Sequence, residues 1–197
     1  MKMANLKKNC AHKIKNYIMK NLLLLFIVFV SCSYPKAQEQ IIPLETKGGR
    51  TAGAYYKDLD NELSPFVGTW KGTFQDKTFI ITFYKIKYYN SLSDYFQDSI
   101  IGKYKLLDSN GSELYSTYNL ADNKAKILSI GFKNYKTKLW FSFTDKCIEG
   151  DILIHFTNVE KNQIYWKYIT DQTIVTNTAN CAPFNEMPRD EFILNKQ

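Results

Sequence analysis

The chain has 197 residues, with 26 basic and 19 acidic side chains and a formal net charge of +7 at pH 7. Seven of the basic residues lie within residues 1–37, which contain no acid, so 19 basic and 19 acidic residues remain from residue 38 onward. Without a surplus of positive charge to neutralise phosphates, this later part is not expected to bind nucleic acid.

The first predicted element is a targeting segment over residues 1–37. Six of its seven lysines precede an uncharged apolar run from Leu22 to Val30, which is typical of a secretory signal and too short to span a bilayer as a helix. Two processing routes remain open. Cys32, at the end of an imperfect lipobox, is lipidated, or a signal peptidase cuts after Ala37. Both predict export, as an outer-membrane lipoprotein held by its lipid anchor only or as a periplasmic or secreted protein.

Residues 38–62 are predicted to be a tether with little structure of its own. They have few apolar runs and carry the glycine-containing stretches 48–50 and 51–53. A short helical turn is expected from Asp58 to Leu63. The domain proper is therefore predicted over residues 63–197, a length sufficient for one domain with a hydrophobic core.

The first strand of that domain is predicted over residues 66–74. Phe66, Gly68, Trp70, Gly72 and Phe74 alternate there with polar residues and Val67, a period of two that is typical of a strand. Two glycines beside one tryptophan indicate a coiled strand where another part of the chain passes close to the backbone. Trp70 is predicted to be the buried anchor of the domain.

Further strands are predicted over 78–89, 99–107, 112–118, 125–132, 137–144, 150–157, 163–170 and 190–195. Asn110-Gly111 predicts a tight hairpin turn, because these residues accept positive φ at low cost. Lys85, Lys87, Lys103 and Lys105 are interpreted as a solvated strand face. The pattern predicts an all-β fold, a single antiparallel up-and-down barrel of about eight strands plus a C-terminal strand; a β-sandwich is the alternative.

The Gly68-Thr69-Trp70 strand resembles the first strand of lipocalins and fatty-acid-binding proteins. The resemblance implies a tryptophan that plugs one end of the barrel under a late basic residue, here Arg189 or Lys167. The segment from Gly53 to Leu63, followed by Phe66 to Trp70, also resembles a family of uncharacterised exported bacterial envelope proteins. That second resemblance implies location and domain extent but no activity.

Two cysteines remain after removal or lipidation of the leader, Cys147 and Cys181, and they also fit the pattern of the envelope family. In an oxidising compartment such a pair usually forms a disulfide, so a Cys147–Cys181 bridge is predicted. It would attach the polar loop 171–188 to the end of the barrel.

The sequence predicts no catalytic residue, metal site or cofactor, and the protein is not expected to be an enzyme. His155 is the one histidine after the leader, and its strand pattern places it toward solvent. Regular strand positions place Tyr104, Phe141, Phe143, Trp166 and Tyr168 inside the barrel, where they either line an apolar cavity or fill the interior. Two functions follow: a lipocalin-like envelope module that binds a small apolar ligand, or a barrel without a ligand that acts as an inhibitor, an assembly factor or a protein-interaction lipoprotein.

Overall fold

The computed structural model of the chain describes residues 39–133, 136–145, 148–170, 187–189 and 191–197. Within these residues the strands are β1 (Ile41–Pro43), β2 (Tyr55–Lys57), β3 (Gly68–Phe74), β4 (Lys77–Asn90), β5 (Tyr95–Leu107), β6 (Glu113–Ser116), β7 (Ile127–Lys133), β8 (Lys138–Asp145), β9 (Ile148–Phe156), β10 (Gln163–Thr170) and β11 (Phe192–Lys196). Single 3₁₀ turns span Ser64–Phe66 and Asp122–Lys124. The helical turn that the sequence predicts over 58–63 is not found there, and the first 3₁₀ turn begins only at Ser64.

Eight of the described strands form a closed antiparallel barrel. The wall follows the order β3, β4, β5, β7, β8, β9, β10 and β11, and each strand pairs with the next. Two short ladders close it: β5 pairs with β7 at Gly102, and β11 pairs with β3 at Trp70. The predicted up-and-down barrel is therefore confirmed, and the alternative of a β-sandwich is wrong.

The C-terminal strand has a different role from the predicted one. The sequence predicts it as an addition to eight other strands, whereas β11 is a wall strand between β10 and β3. The predicted strand 112–118 is the one left out: β6 is four residues long and, among the described strands, pairs with β5 alone. The β5–β6 ladder ends after the Lys105↔Ser116 pair. At the next position Tyr104 N donates to the side-chain atom Thr117 Oγ1 at 2.8 Å and not to a backbone oxygen.

The prediction of a tether over residues 38–62 is wrong for residues 40–62. β1 and β2 pair in parallel, and β2 pairs in parallel with one end of β5. Ala54, Tyr56 and Asp58 are buried, and the ring of Tyr56 packs edge-on against Tyr95 at 5.5 Å. Strands of three residues next to glycines carry too little periodicity to be recognised in a sequence.

The core lies inside the barrel and consists of aromatic and aliphatic residues at alternate strand positions. Trp70, Phe79, Ile81, Phe83, Ile100, Tyr104, Leu106, Ile127, Leu139, Phe141, Phe143, Ile152, Ile154, Ile164, Trp166 and Leu194 are almost completely buried. The period-2 pattern also predicted the inward position of Tyr104, Phe141, Phe143, Trp166 and Tyr168.

Gly72 lies where β11 crosses close to β3. A Cβ atom at this position would lie 2.4 Å from the backbone oxygen of Ile193 and 2.8 Å from Leu194 Cδ2. Both distances are shorter than van der Waals contact, so any side chain would push the two strands apart. This is the close backbone approach that the glycines of the first strand predicted.

We expect Gly72→Ala to lower the free energy of unfolding by about 1–3 kcal/mol, because the added methyl group overpacks the contact between β3 and β11. Urea unfolding followed by far-UV circular dichroism measures the change. Gly49→Ala is the matched control, since no atom lies within 4 Å of its Cβ position, and we expect a change of at most about 0.5 kcal/mol there. Equal losses in the two variants would contradict the proposed crossing.

Candidate functional site

The five aromatic residues that the sequence places inside the barrel are all found there. Tyr104, Phe141, Phe143, Trp166 and Tyr168 have exposed fractions between 0% and 6%. Their position in the interior therefore agrees with the sequence pattern. That pattern left open whether they line a cavity or fill the interior.

These rings pack against one another and against two phenylalanines of β4. The centroid of Phe79 lies 5.5 Å from that of Tyr104 and 5.2 Å from that of Trp166. Phe83 stacks on Phe141 at 5.1 Å, and Phe143 meets Tyr168 edge-on at 5.6 Å. The side chains predicted to line a cavity thus occupy this part of the interior themselves.

The hydroxyl of Tyr168 is buried and has no hydrogen-bond partner among the described residues. Burial raises the pKa of Tyr168 to about 12, and the positive charge of Arg189 opposes the shift only in part. The hydroxyl therefore stays protonated at neutral pH and does not act as a base.

Trp70 is fully buried, and its Nε1 donates to the backbone oxygen of Phe66 at 2.8 Å. The basic side chain over its ring is Lys196, whose Nζ lies 5.2 Å from the ring centroid, and not the predicted Arg189 or Lys167. Lys196 passes over Gly68, where a Cβ would lie 3.2 Å from Lys196 Cε. The sequence predicted a late basic residue over Trp70, and one is found, but it is Lys196 and not Arg189.

The two rejected candidates contact other groups. Lys167 Nζ pairs with Glu191 Oε1 at 2.6 Å. Arg189 lies close enough to Tyr168 to act on its pKa. The predicted lipidation site Cys32 and the predicted disulfide Cys147–Cys181 lie outside the described residues, and both stay predictions.

A groove lies on the outside of the barrel, and we call it the β4–β7 groove. It has a volume of about 580 Å³ and is lined by Ile86, Lys87, Tyr88, Tyr89, Ile101, Asp122, Asn123, Ala125 and Leu128. Aliphatic residues of β4, β5 and β7 meet here, because Ile101 pairs with Leu128 at the seam of the barrel. Asp122 and Asn123 add polar groups to this lining, whereas Lys87 Nζ lies over the rings of Tyr55 and Phe96, 4.2 Å and 4.5 Å from their centroids.

One side of the groove is formed by the connection between β6 and β7, which crosses the outer surface of β4 and β5. Tyr118 and Thr82 share a hydrogen bond of 2.8 Å between their hydroxyls. Asp122 Oδ1 accepts from Lys103 Nζ at 2.7 Å. These two contacts hold the connection against the barrel, so the groove is part of the folded structure.

The other side of the groove is the far end of the β4–β5 hairpin. β4 pairs with β5 as far as Asn90↔Tyr95, whereas β3 reaches only Phe83 of β4. The hairpin therefore extends past the first strand, and its tip exposes apolar groups: Tyr89 is 45% exposed and Leu92 is 97% exposed.

Buried ionic contacts support this hairpin from its other face. Lys85 Nζ lies 2.8 Å from Asp58 Oδ2 and 3.4 Å from Asp98 Oδ2, and both carboxylates are almost fully buried. Asp58 Oδ1 also accepts from Glu62 N, and Oδ2 from Leu63 N. Lys85 is thus not part of a solvated face, as the sequence suggested, but joins β4 to the segment before β3.

Burial opposes the charged form of Asp58, but the hydrogen bonds from Lys85, Leu63 N and Glu62 N outweigh it and lower the pKa of Asp58 below 3.8. The carboxylate is therefore ionised at neutral pH. Because all of its described partners are structural, we assign Asp58 to fold stability and not to catalysis.

His155 is half-buried on the outer face of β9, and its ring lies 4.9 Å from that of Tyr165. Burial, together with the charge of Lys138, lowers its pKa. The side chain of His155 points outward, as the sequence predicted, but it is half-buried.

Within the described residues no cluster of three or more histidine, cysteine, aspartate or glutamate side chains is placed to hold a metal ion. No helix in the same part of the chain is sufficiently long and apolar to cross a membrane.

No curated protein and no solved structure matches this chain. A family model does match: DUF6705, a family of unknown function, covers residues 19–197. Since this is most of the chain, the protein belongs to that family. The expected membership of an uncharacterised family is confirmed, and the family description names no ligand, activity or location.

Proposed function

We propose that this member of the DUF6705 family is a non-catalytic, exported binding protein that holds a small amphipathic ligand in the β4–β7 groove. The observation that carries the proposal is the groove itself, an outer depression of about 580 Å³ with an apolar floor and a polar rim. Binding sites for small molecules typically have volumes of about 300–1,000 Å³, apolar walls and a few polar groups.

The site differs from the one that the sequence suggested. The aromatic residues of the interior contact one another, whereas Ile86 and Leu128 are half-buried and line the depression together with the buried Ile101. A ligand with an apolar body and a polar end fits this surface, because Asp122 and Asn123 offer acceptors at its edge. We therefore place the apolar ligand of the first hypothesis outside the barrel.

A groove variant tests this assignment. We expect Ile86→Glu to weaken the binding of 8-anilinonaphthalene-1-sulfonate roughly tenfold, because a carboxylate on the floor removes about 1.4 kcal/mol or more of apolar contact. The measurement is a fluorescence titration of the purified protein. Ile193→Glu is the matched control, since Ile193 is 37% exposed on β11, which contributes no residue to the groove. Unchanged binding in Ile86→Glu, or equal losses in both variants, would contradict a site in the groove.

A second candidate function is the recognition of a partner protein. The exposed side chains of Tyr89 and Leu92 at the hairpin tip, next to the groove, favour it. Native mass spectrometry of the protein purified from its own cells separates the two functions. A retained small molecule that Ile86→Glu loses supports the ligand, whereas a protein partner lost in Leu92→Glu supports the interaction.

The location outside the cytoplasm rests on the basic and apolar leader. The N-terminal residue of the mature protein decides between the two processing routes: a lipid-modified Cys32 identifies an outer-membrane lipoprotein, and a Gln38 terminus identifies a periplasmic or secreted protein. An intact Met1 in the cytoplasm would contradict export altogether.

A further inference from the structure

The outer face of β7, β8 and β9, which contributes to the groove only through Leu128 of β7, carries a row of basic side chains. Lys133 of β7 and Lys138 of β8 are register partners. Directly opposed residues of an antiparallel pair have Cα atoms about 4.5–5.5 Å apart, and like charges in such a pair destabilise it. On the other side of Lys138 the row continues with His155 of β9, which is adjacent in register to the Leu139↔Ile154 pair.

No acid compensates these charges in the described part of the chain. Neither Lys133 nor Lys138 forms an ion pair there, whereas Lys136 in the turn between them pairs with Glu62 at 2.7 Å. Glu191, just before β11, accepts from Lys167 and from Tyr165, the register partner of His155. The row therefore brings two cations together without an ion-pair partner among the described residues.

Neighbouring aromatic rings hold the row in place. Lys133 Nζ lies 3.0 Å from the ring centroid of Trp140, and His155 packs against Tyr165 at 4.9 Å. The indole Nε1 of Trp140 is buried and has no hydrogen-bond partner among the described residues. Lys133 opposes Lys138 in register, and Lys138 lies close enough to His155 to lower its pKa, so the three side chains project from neighbouring strands of one face.

We infer that Lys133, Lys138 and His155 form an anion-binding site, which takes the phosphate or carboxylate group of a soluble ligand. Two ammonium groups supply charge-assisted hydrogen bonds, which are the stronger class of hydrogen bond in proteins. A bound anion also relieves the repulsion between the opposed lysines. The site is independent of the β4–β7 groove, so its failure would leave the proposed function unaffected.

The imidazole of His155 reports directly on this site. Burial, and after it the charge of Lys138, lowers the pKa of His155 and favours the neutral ring. An anion next to it favours the protonated form, so binding moves the titration of His155 to higher pH. The other titratable groups that face this ring are Lys138 from β8 and Tyr165 from β10, and the phenol of Tyr165 stays protonated because its pKa is raised to about 12 by a hydrogen bond to Glu191.

The test is an NMR titration of the His155 ring protons, assigned with His155→Gln. It is run in sodium chloride, in inorganic phosphate and in galacturonate at equal ionic strength. We expect the midpoint to move to higher pH with phosphate, with galacturonate or with both, and the probe that acts identifies the group that is recognised. A midpoint that is the same in all three solutions would overturn the site.

Two lysine variants and one control separate specific binding from charge screening. Lys133→Met and Lys138→Met are each expected to weaken the effective anion roughly tenfold, as the loss of one charge-assisted hydrogen bond implies. Lys71→Met removes an exposed strand lysine from β3 and is expected to leave the affinity unchanged. Equal effects of all three variants, or an undiminished midpoint shift in the Lys133→Met/Lys138→Met double variant, would show general screening and overturn the inference.

Discussion

We expect Trp70→Ala to lower the free energy of unfolding by about 3–5 kcal/mol, the usual cost of truncating a large aromatic residue in a core. Trp70 is completely buried, and its ring lies 6.3 Å from that of Phe156 on β9. Its removal leaves a cavity between β3 and β9 and also leaves the backbone oxygen of Phe66 without the donor Trp70 Nε1. Urea unfolding followed by far-UV circular dichroism measures the loss without relying on tryptophan fluorescence.

Two further variants separate the contributions of this residue. Trp70→Phe keeps most of the apolar volume but loses the bond to Phe66, and we expect it to cost about 1–3 kcal/mol. Lys196→Met removes the cation over the ring, 5.2 Å from its centroid, and is expected to cost about 0.5–1 kcal/mol.

Trp140→Ala is the matched control for the large truncation. Trp140 lies half-buried on the outer face of β8, so its removal opens no cavity in the core, and we expect the loss to be less than about half that of Trp70→Ala. If Trp70→Ala cost less than about 1 kcal/mol, or no more than Trp140→Ala, Trp70 would not be the anchor of the barrel.

The barrel could be predicted because the sequence patterns that specify it lie within single strands and in the turns between consecutive strands. Each wall strand alternates apolar and polar residues, and turns such as Asn110-Gly111, where Gly111 has a φ of 84°, separate consecutive strands. A meander pairs neighbours in the sequence, so strand order follows from chain order. β1 and β2 lack these signals because each has three residues, and β2 pairs in parallel with β5, far away in the sequence.

The β4–β7 groove was not predictable for a related reason. Its side is formed by the connection between β6 and β7, which the sequence shows only as a polar turn. Its position depends on the pairs Lys103–Asp122 and Thr82–Tyr118, which cannot be told from other surface pairs without coordinates. The same limit applies to Trp70, because a late basic residue was expected but the choice of Lys196 depends on the register of β11 against β3.

The second large effect concerns the buried carboxylate of Asp58. We expect Asp58→Asn to lower the free energy of unfolding at pH 7 by about 3 kcal/mol, because removing one partner of a buried ion pair leaves the other partner uncompensated. Lys85 keeps Asp98 at 3.4 Å as its remaining partner, which places the expected loss at the lower end of the range for such pairs.

The pH dependence distinguishes an ionic role from simple packing. Hydrogen bonds from Lys85 and two backbone amides hold the pKa of Asp58 below its ordinary value of 3.8. A group whose pKa is depressed by folding stabilises the protein at pH values above its unfolded pKa, and this stabilisation is lost as the pH falls through the folded pKa. The difference between wild type and Asp58→Asn is therefore expected to be constant from pH 7 to 5, to begin shrinking near pH 3.8, and to disappear below the folded pKa.

Asp122→Asn supplies the control, because Asp122 also pairs with a lysine but its side chain is 62% exposed. An exposed pair of this kind contributes at most about 1 kcal/mol, so the control variant should unfold almost like wild type at every pH. Urea unfolding at pH 7, 5, 4 and 3 follows both variants. If the loss in Asp58→Asn stayed constant down to the lowest pH, the effect would come from side-chain shape and not from charge. If the loss were no larger than that of Asp122→Asn, the buried pair with Lys85 would not hold the segment before β3 to the barrel.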